Sequence, residues 1–210
     1  MLETFFTSPF LFILWLLALF IAITIHEFSH ALVADRLGDP TPRLMGRLTL
    51  NPLAHLDTLG TLMLLLFRFG WGKPVQFDPF NLKNPRRDAA LISLAGPTSN
   101  LLLALILSIL VRTPVVPPFL IQFLLPIIIL NIMLAIFNLM PIHPLDGFKI
   151  VQGLLPEDQA REWATLERYG FLFLLLLIFP IGGKSLLFSI LDPVINFLLY
   201  LFLGKTGLYY

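Results

Sequence analysis

Residues His26-Glu27-Phe28-Ser29-His30 set two imidazoles four positions apart, with a carboxylate beside the first. On a helix, positions i and i+4 share a face, so both rings can reach one ion. Glu27 then lies close enough to take a proton from a water that the ion activates, which is the chemistry of a metal-dependent hydrolase. The chain has no cysteine, so disulfides and thiolate ligands are excluded, and any metal is held by imidazole and carboxylate. Zinc suits such nitrogen and oxygen ligands, and a catalytic zinc keeps one position for water.

A third protein ligand is required, and few residues can supply it. The other histidines are His55 and His143, and the acidic residues near apolar stretches are Asp57, Asp146 and Asp192. Asp146 is the expected ligand. It lies in Asn138-Leu-Met-Pro-Ile-His-Pro-Leu-Asp146-Gly147, where Pro141 and Pro144 break the end of an apolar run. Broken helices at membrane depth line protein-covered sites. Asp192 precedes Pro193 and reads as a capping or packing residue at a turn. His143, between two prolines, is expected to pack or bond locally. His55 has several readings: it lines the cleft, steadies an oxyanion, approaches the metal, or simply finds a hydrogen bond at a wet boundary.

The elements that must position these residues lie in lipid. Hydrophobic residues make up 57% of the 210, charged residues only 13%, and mean hydropathy is +0.86. A soluble domain carries about a quarter charged residues. Ionisable groups inside a span cost roughly 2.5–3.5 kcal/mol each or more, so His26, Glu27 and His30 together need a compensating purpose, which a metal supplies. The net charge of +1 says little about partners, and no basic stretch is dense enough for nucleic acid.

The expected fold class is an all-α membrane protein, a bundle of about five spans forming one domain over 1–210. The first span covers Pro9 to Ile25 and continues as helix to about Leu37, ahead of Gly38 and Pro40. It is read as a retained span, not a cleaved signal, because no basic residue precedes it and no small-residue cleavage site follows. Ala89–Val111 and Phe119–Asn138 are further spans, the second with a kink expected at Pro126, and Tyr169–Leu203 reads as two short ones around Gly182-Gly183-Lys184. Leu59–Phe69 is too short to cross and is expected as a re-entrant or interfacial piece. Gly46–Asn51 alternates like a short strand, Gly70–Asp88 reads as a surface loop, and Gln159–Arg168 as an interfacial helix. If Leu59–Phe69 does not cross, twelve of the 14 Lys and Arg share one side, with only Arg112 and Lys184 opposite. If it crosses, the split is nine against five. The positive-inside rule then puts the N-terminus outside and the site near the cytoplasmic face.

The motifs resemble those of the site-2 proteases, the intramembrane zinc metalloproteases of regulated intramembrane proteolysis. The likeness rests on H-E-F-S-H at 26–30, N-L-M-P-I-H-P-L-D-G at 138–147 and Gly96-Pro97-Thr98-Ser99-Asn100, which is similar to the family's G-P-x-x-N signature. It covers roughly residues 9–150. The resemblance implies a three-helix catalytic core, zinc at His26, His30 and Asp146, and Glu27 as general base. It implies that Asn138 and Asn100 position substrate or steady the site; read from the residues alone, each is a buried amide bonding helix backbone. It also matches Gly46–Asn51 to a small sheet whose edge an unwound substrate could join. The PDZ or CBS domains of many members find no counterpart here, so the likeness is to the small, core-only prokaryotic members. The implied activity is hydrolysis of a peptide bond in or near the transmembrane segment of a membrane-protein substrate, in a prokaryotic cell membrane. The rival readings are a metal transporter and a relative that binds membrane proteins without cutting.

Overall fold

The computed structural model describes residues 8–67, 70–181 and 183–204. Helix α1 (Pro9–Arg36) starts on a proline, whose missing N–H costs nothing at a helix start. Short α2 (Thr41–Leu44) and α3 (Thr58–Phe67) precede an irregular segment, and α4 (Pro85–Val111) and α5 (Pro118–Asn138) return through the bundle. The chain then forms α6 (Asp146–Leu154), α7 (Glu157–Ala164), α8 (Glu167–Ile178) and α9 (Leu186–Leu203). Among the described residues, α1, α4, α5 and α9 are long and apolar enough to cross a membrane. Their outward faces carry exposed Phe10, Leu17, Leu102, Ile106, Phe119 and Phe197, as lipid-facing surfaces require.

Helix α4 packs against α1, α5 and α6 and is the centre of the molecule. Its buried stripe steps by four residues through Asp88, Ile92, Gly96, Asn100, Ala104 and Ser108. The facing stripe of α1 does the same through Ala18, Ala22, His26, His30 and Ala34. Small residues dominate both stripes, so the backbones approach closely, the usual means of helix association where hydrophobicity gives no net drive. The chemistry-bearing side chains interrupt these stripes and are held where the helices touch. A larger apolar cluster joins α5 to α9, with Ile128, Ile132, Leu187 and Leu191 buried against Ala104.

Three sequence expectations are corrected. The stretch 169–203 does not give two spans: α8 has 12 residues, about 18 Å of helix, well short of the hydrocarbon thickness. Among the described residues four helices, not five, meet the length. Gly46–Asn51 is not a strand. Gly46 adopts φ +69°, which turns the chain, and the Arg47 side chain is drawn inward to bond other loops. The pairing that does form is a single bridge, Leu56 to Gly72, and a two-residue ladder, β1 (Pro180–Ile181) with β2 (Lys184–Ser185), far along the chain from the predicted strand. Of the two readings of Leu59–Phe69, re-entrant or interfacial, the re-entrant one is not supported: it is one ten-residue helix, α3, capped by the Asp57 carboxylate accepting from Gly60 N–H, with no reversal along it. Residues 68–69 of that segment lie outside the described residues. Pro126 is accommodated inside a continuous α5.

Candidate functional site

His26, His30 and Asp146 converge, with one ligand atom from each lying within 4.8 Å of the others. Asp146 Oδ2 is 3.0 Å from His26 Nε2 and 3.3 Å from His30 Nε2. Donors bound to zinc at about 2.0–2.1 Å in a tetrahedron stand about 3.3 Å apart, so this donor set fits the ion. Both rings have their other nitrogen committed. His26 Nδ1–H donates to Asn100 Oδ1 at 2.6 Å, and His30 Nδ1–H donates to the Ile92 carbonyl at 2.6 Å. Each Nε2 lone pair is thereby turned toward Asp146, the outer arrangement typical of metal-bound histidine.

The local sequence explains the convergence. Gly96 lies where α4 meets both rings: a Cβ there would come within 2.5 Å of His30 Nε2 and 2.7 Å of His26 Cε1. Gly147 plays a similar part beyond Asp146, since a Cβ would strike the Leu139 and Met140 carbonyls at 2.3 Å. Its absence lets α6 begin against the end of α5 and bring the Asp146 carboxylate back beneath α1. Prolines 141 and 144 end α5 and form the turn between them, with the His143–Pro144 peptide cis.

Asn100 is fully buried and fully used. Its amide donates to the Ala22 carbonyl at 3.0 Å and to Asn131 Oδ1 at 2.7 Å, while Asn131 donates in turn to Ile127 O. One polar chain thus runs from His26 across α4 into α5. Asn138 donates to Leu134 O of its own helix and lines the cleft. His55 does not join the cluster or line the cleft. It is fully buried, and its Nε2–H donates to Thr49 O at 2.8 Å. His143 pairs locally, 3.6 Å from Glu167 and edge-on to Phe148, and Asp192 is exposed on α9.

The His26–His30–Asp146 cluster opens into a cleft of about 410 Å³ whose walls include Leu19, Phe20, Ile23, Leu134 and Phe137, with Glu27 also in its lining. Glu27 Oε2 accepts from Val75 N–H at 2.9 Å, so the irregular segment 70–78 lies across the site. Arg47 fixes that segment. Only 2% exposed, its guanidinium donates to the carbonyls of Ala54, Lys73 and Pro74. Sequence reasoning counted Arg47 only as a topological charge; a cation set in the apolar run Leu44–Leu50 was the available signal. Asn131 was likewise missed, although a polar residue in so apolar a span calls for a partner. Lys149, one turn beyond Asp146 on α6, also lines the cleft, and burial pushes its ammonium pKa down.

Comparison with known proteins gives the same chemistry. The model of peptidase family M50 matches residues 14–117 and 115–177. The chain is 40% identical over 190 residues to "Putative zinc metalloprotease YwhC" of Bacillus subtilis, covering 86% of this chain and 84% of that one. It is 31% identical to "Putative zinc metalloprotease Rip2" of Mycolicibacterium smegmatis, over 80% of this chain and 67% of the relative. To Rip2 of Mycobacterium tuberculosis it is 32% identical, over 75% and 63%. No solved structure matches. With apolar helices around a zinc-compatible cluster, and with these relatives, the chain belongs to peptidase family M50, the site-2 proteases, and is a zinc metalloendopeptidase of multi-pass membrane type.

Proposed function

We propose that this protease cuts a peptide bond in or near the transmembrane segment of a membrane-protein substrate, with zinc held by His26, His30 and Asp146 and Glu27 as general base. The observation that carries the reading is the meeting of three ligand atoms and Glu27 at the end of a cleft with apolar walls. Zinc supplies Lewis acidity there, making water nucleophilic near neutral pH and polarising a carbonyl. Glu27 accepts the attacking water's proton and returns it to the departing amine. His26 and His30 keep Nε2 turned toward Asp146 because Asn100 Oδ1 and the Ile92 carbonyl accept from their Nδ1–H groups. The apolar walls exclude bulk water and accept the substrate's side chains. A helical substrate must unwind to expose its carbonyl, so residues of weak helix propensity near the cut favour cleavage. Asn138, on the wall, is placed to bond an unwound backbone.

In the same reading residues 1–210 form one integral-membrane protease domain whose catalytic part is about 9–150. It sits in a prokaryotic cell membrane with the N-terminus outside and the site toward the cytoplasmic face, where the basic residues gather. A metal conduit would need ligand clusters in series, and the described residues hold one such group. The test is Glu27→Gln in purified protein beside a panel of single-span substrates. Zinc content stays at the wild-type level and cleavage is lost; a variant that still cuts removes Glu27 from the mechanism, and Asp146→Asn that keeps full zinc removes the third ligand.

A further inference from the structure

A second cavity, of about 870 Å³, adjoins the metal cleft and shares Pro74, Val75, Phe77 and Lys149 as its wall. The partition is slight: Lys149 Nζ sits 4.5 Å over the Phe77 ring. The two spaces differ in chemistry. Leu, Ile and Phe side chains are frequent in the cleft; the second cavity keeps an apolar floor of Pro, Val, Phe and Ala but adds the charged and amide side chains of Gln76, Gln152, Arg86, Arg161 and Glu157. Arg161 is committed to Glu157 at 2.5 Å, one turn away on α7. Among the described residues Arg86 and Lys149 make no direct ion pair, although Asp146 and Glu167 act on Lys149 from a distance, so the groove presents two cations without a contact partner. Its direction is set by α6. Asp146, Lys149 and Gln152 follow at three-residue steps along it, the first two lining the cleft and the last two the second cavity.

A chain threaded through the cleft therefore meets apolar walls first and next a groove to which Arg86, Lys149 and two glutamines add charge and polarity. A membrane-protein substrate has the same order, its apolar span giving way to polar juxtamembrane residues. We propose that this second cavity is the subsite for the substrate's polar flank and that Arg86 and Lys149 select flanks carrying Asp or Glu. The proposal rests on the intramembrane-protease reading above and adds to it the sequence class that the enzyme prefers.

The test uses the full chain, zinc-loaded, in nanodiscs of zwitterionic lipid. Three single-span substrates share one span and differ only in a six-residue flank rich in Asp, in Ser alone, or in Lys. The acidic flank is cut with kcat/KM about tenfold above the basic one at low salt, each cation contributing a few-fold, and the gap narrows as salt screens it. Arg86 is exposed, so Arg86→Glu keeps the fold, and it reverses the order of acidic and basic flanks; each ratio is internal to one variant, so a general loss of activity does not mimic it. Equal cleavage of all three flanks by wild type overturns the groove while leaving the protease reading intact. No cleavage of any flank overturns both. A loss in Arg86→Glu that is the same for every flank and arises only when anionic lipid is added assigns the groove to a lipid headgroup and overturns the proposal.

Discussion

Replacing Gly96 with alanine tests how tightly the metal centre depends on the approach of two helices. The added methyl would lie 2.5 Å from His30 Nε2 and 2.6 Å from its Cε1, where ordinary contact begins at 3.4 Å. About 0.9 Å of separation must be found. The rings cannot tilt aside cheaply, because each is held by a 2.6 Å hydrogen bond through Nδ1. If α4 backs away instead, it carries Asn100 and the Ile92 carbonyl with it. Either route misplaces a ligand by several times the roughly 0.2 Å that metal–ligand distances tolerate. Overpacking of this kind costs about 1–3 kcal/mol in stability, and disturbing the groups that orient ligands costs about 10–100-fold in metal affinity. Gly96→Ala should therefore lose zinc to a competing chelator at least tenfold more readily than wild type, and the zinc-free protein should melt earlier in detergent. Gly46→Ala is the control. It strains a positive φ with nothing within 4 Å, so it lowers stability by about 1 kcal/mol and leaves zinc affinity unchanged. A Gly96→Ala protein with wild-type zinc affinity and reduced stability would show that the helices part without moving the ligands, and the reasoning would fail.

Other outcomes follow from the same geometry. Asn100→Ala frees the His26 ring and lowers zinc affinity about 10–100-fold, while Asn131→Ala, one bond further out, lowers it less; chelator titration of both separates them. Arg47→Met leaves the carbonyls of Ala54, Lys73 and Pro74 without their shared donor and costs about 1–3 kcal/mol, and limited proteolysis should find segment 70–78 newly open. Asp39 is fully buried; that alone raises a carboxyl pKa, but donors from Thr41, Asn81 and Asp78 outweigh it and hold the group below its ordinary 3.8. Its contribution is thus complete above that value and is lost as pH falls through the depressed one. Asp39→Asn should flatten that acid limb in pH-dependent melting.

Much of the site was readable because its constraints are local. Two histidines at helical spacing must share a face, and the cost of ionisable groups in lipid demands a use for them. The proline-broken end of α5 marked where an aspartate could meet them. The four-residue stripes on α1 and α4 are also plain in the sequence, Ala18-Ala22-His26-His30-Ala34 against Gly96-Asn100-Ala104-Ser108, once the pairing of those helices is known. What escaped was set by backbone geometry or by distance along the chain. The Glu27 contact comes from an amide in a segment 48 residues away, and no side-chain pattern announces a main-chain donor. Alternation in Gly46–Asn51 looked like a strand because period alone cannot see that Arg47 has three carbonyls to satisfy. The shortness of α8 comes from its end at Ile178, where Phe179 turns extended ahead of the Pro180–Ile181 strand, a break that apolar content alone does not mark.

The asparagine pair has a further consequence for access. His26, Asn100 and Asn131 knot α1, α4 and α5 together on one side of the ion, so that flank behaves as a fixed jamb. Residues 70–78, which also line the cleft, are held by other means: one amide on Glu27 and the guanidinium of Arg47. Val75 N–H on Glu27 Oε2 ties the position of that segment to the carboxylate, so moving residues 70–78 would change the hydrogen bonding of the proposed base.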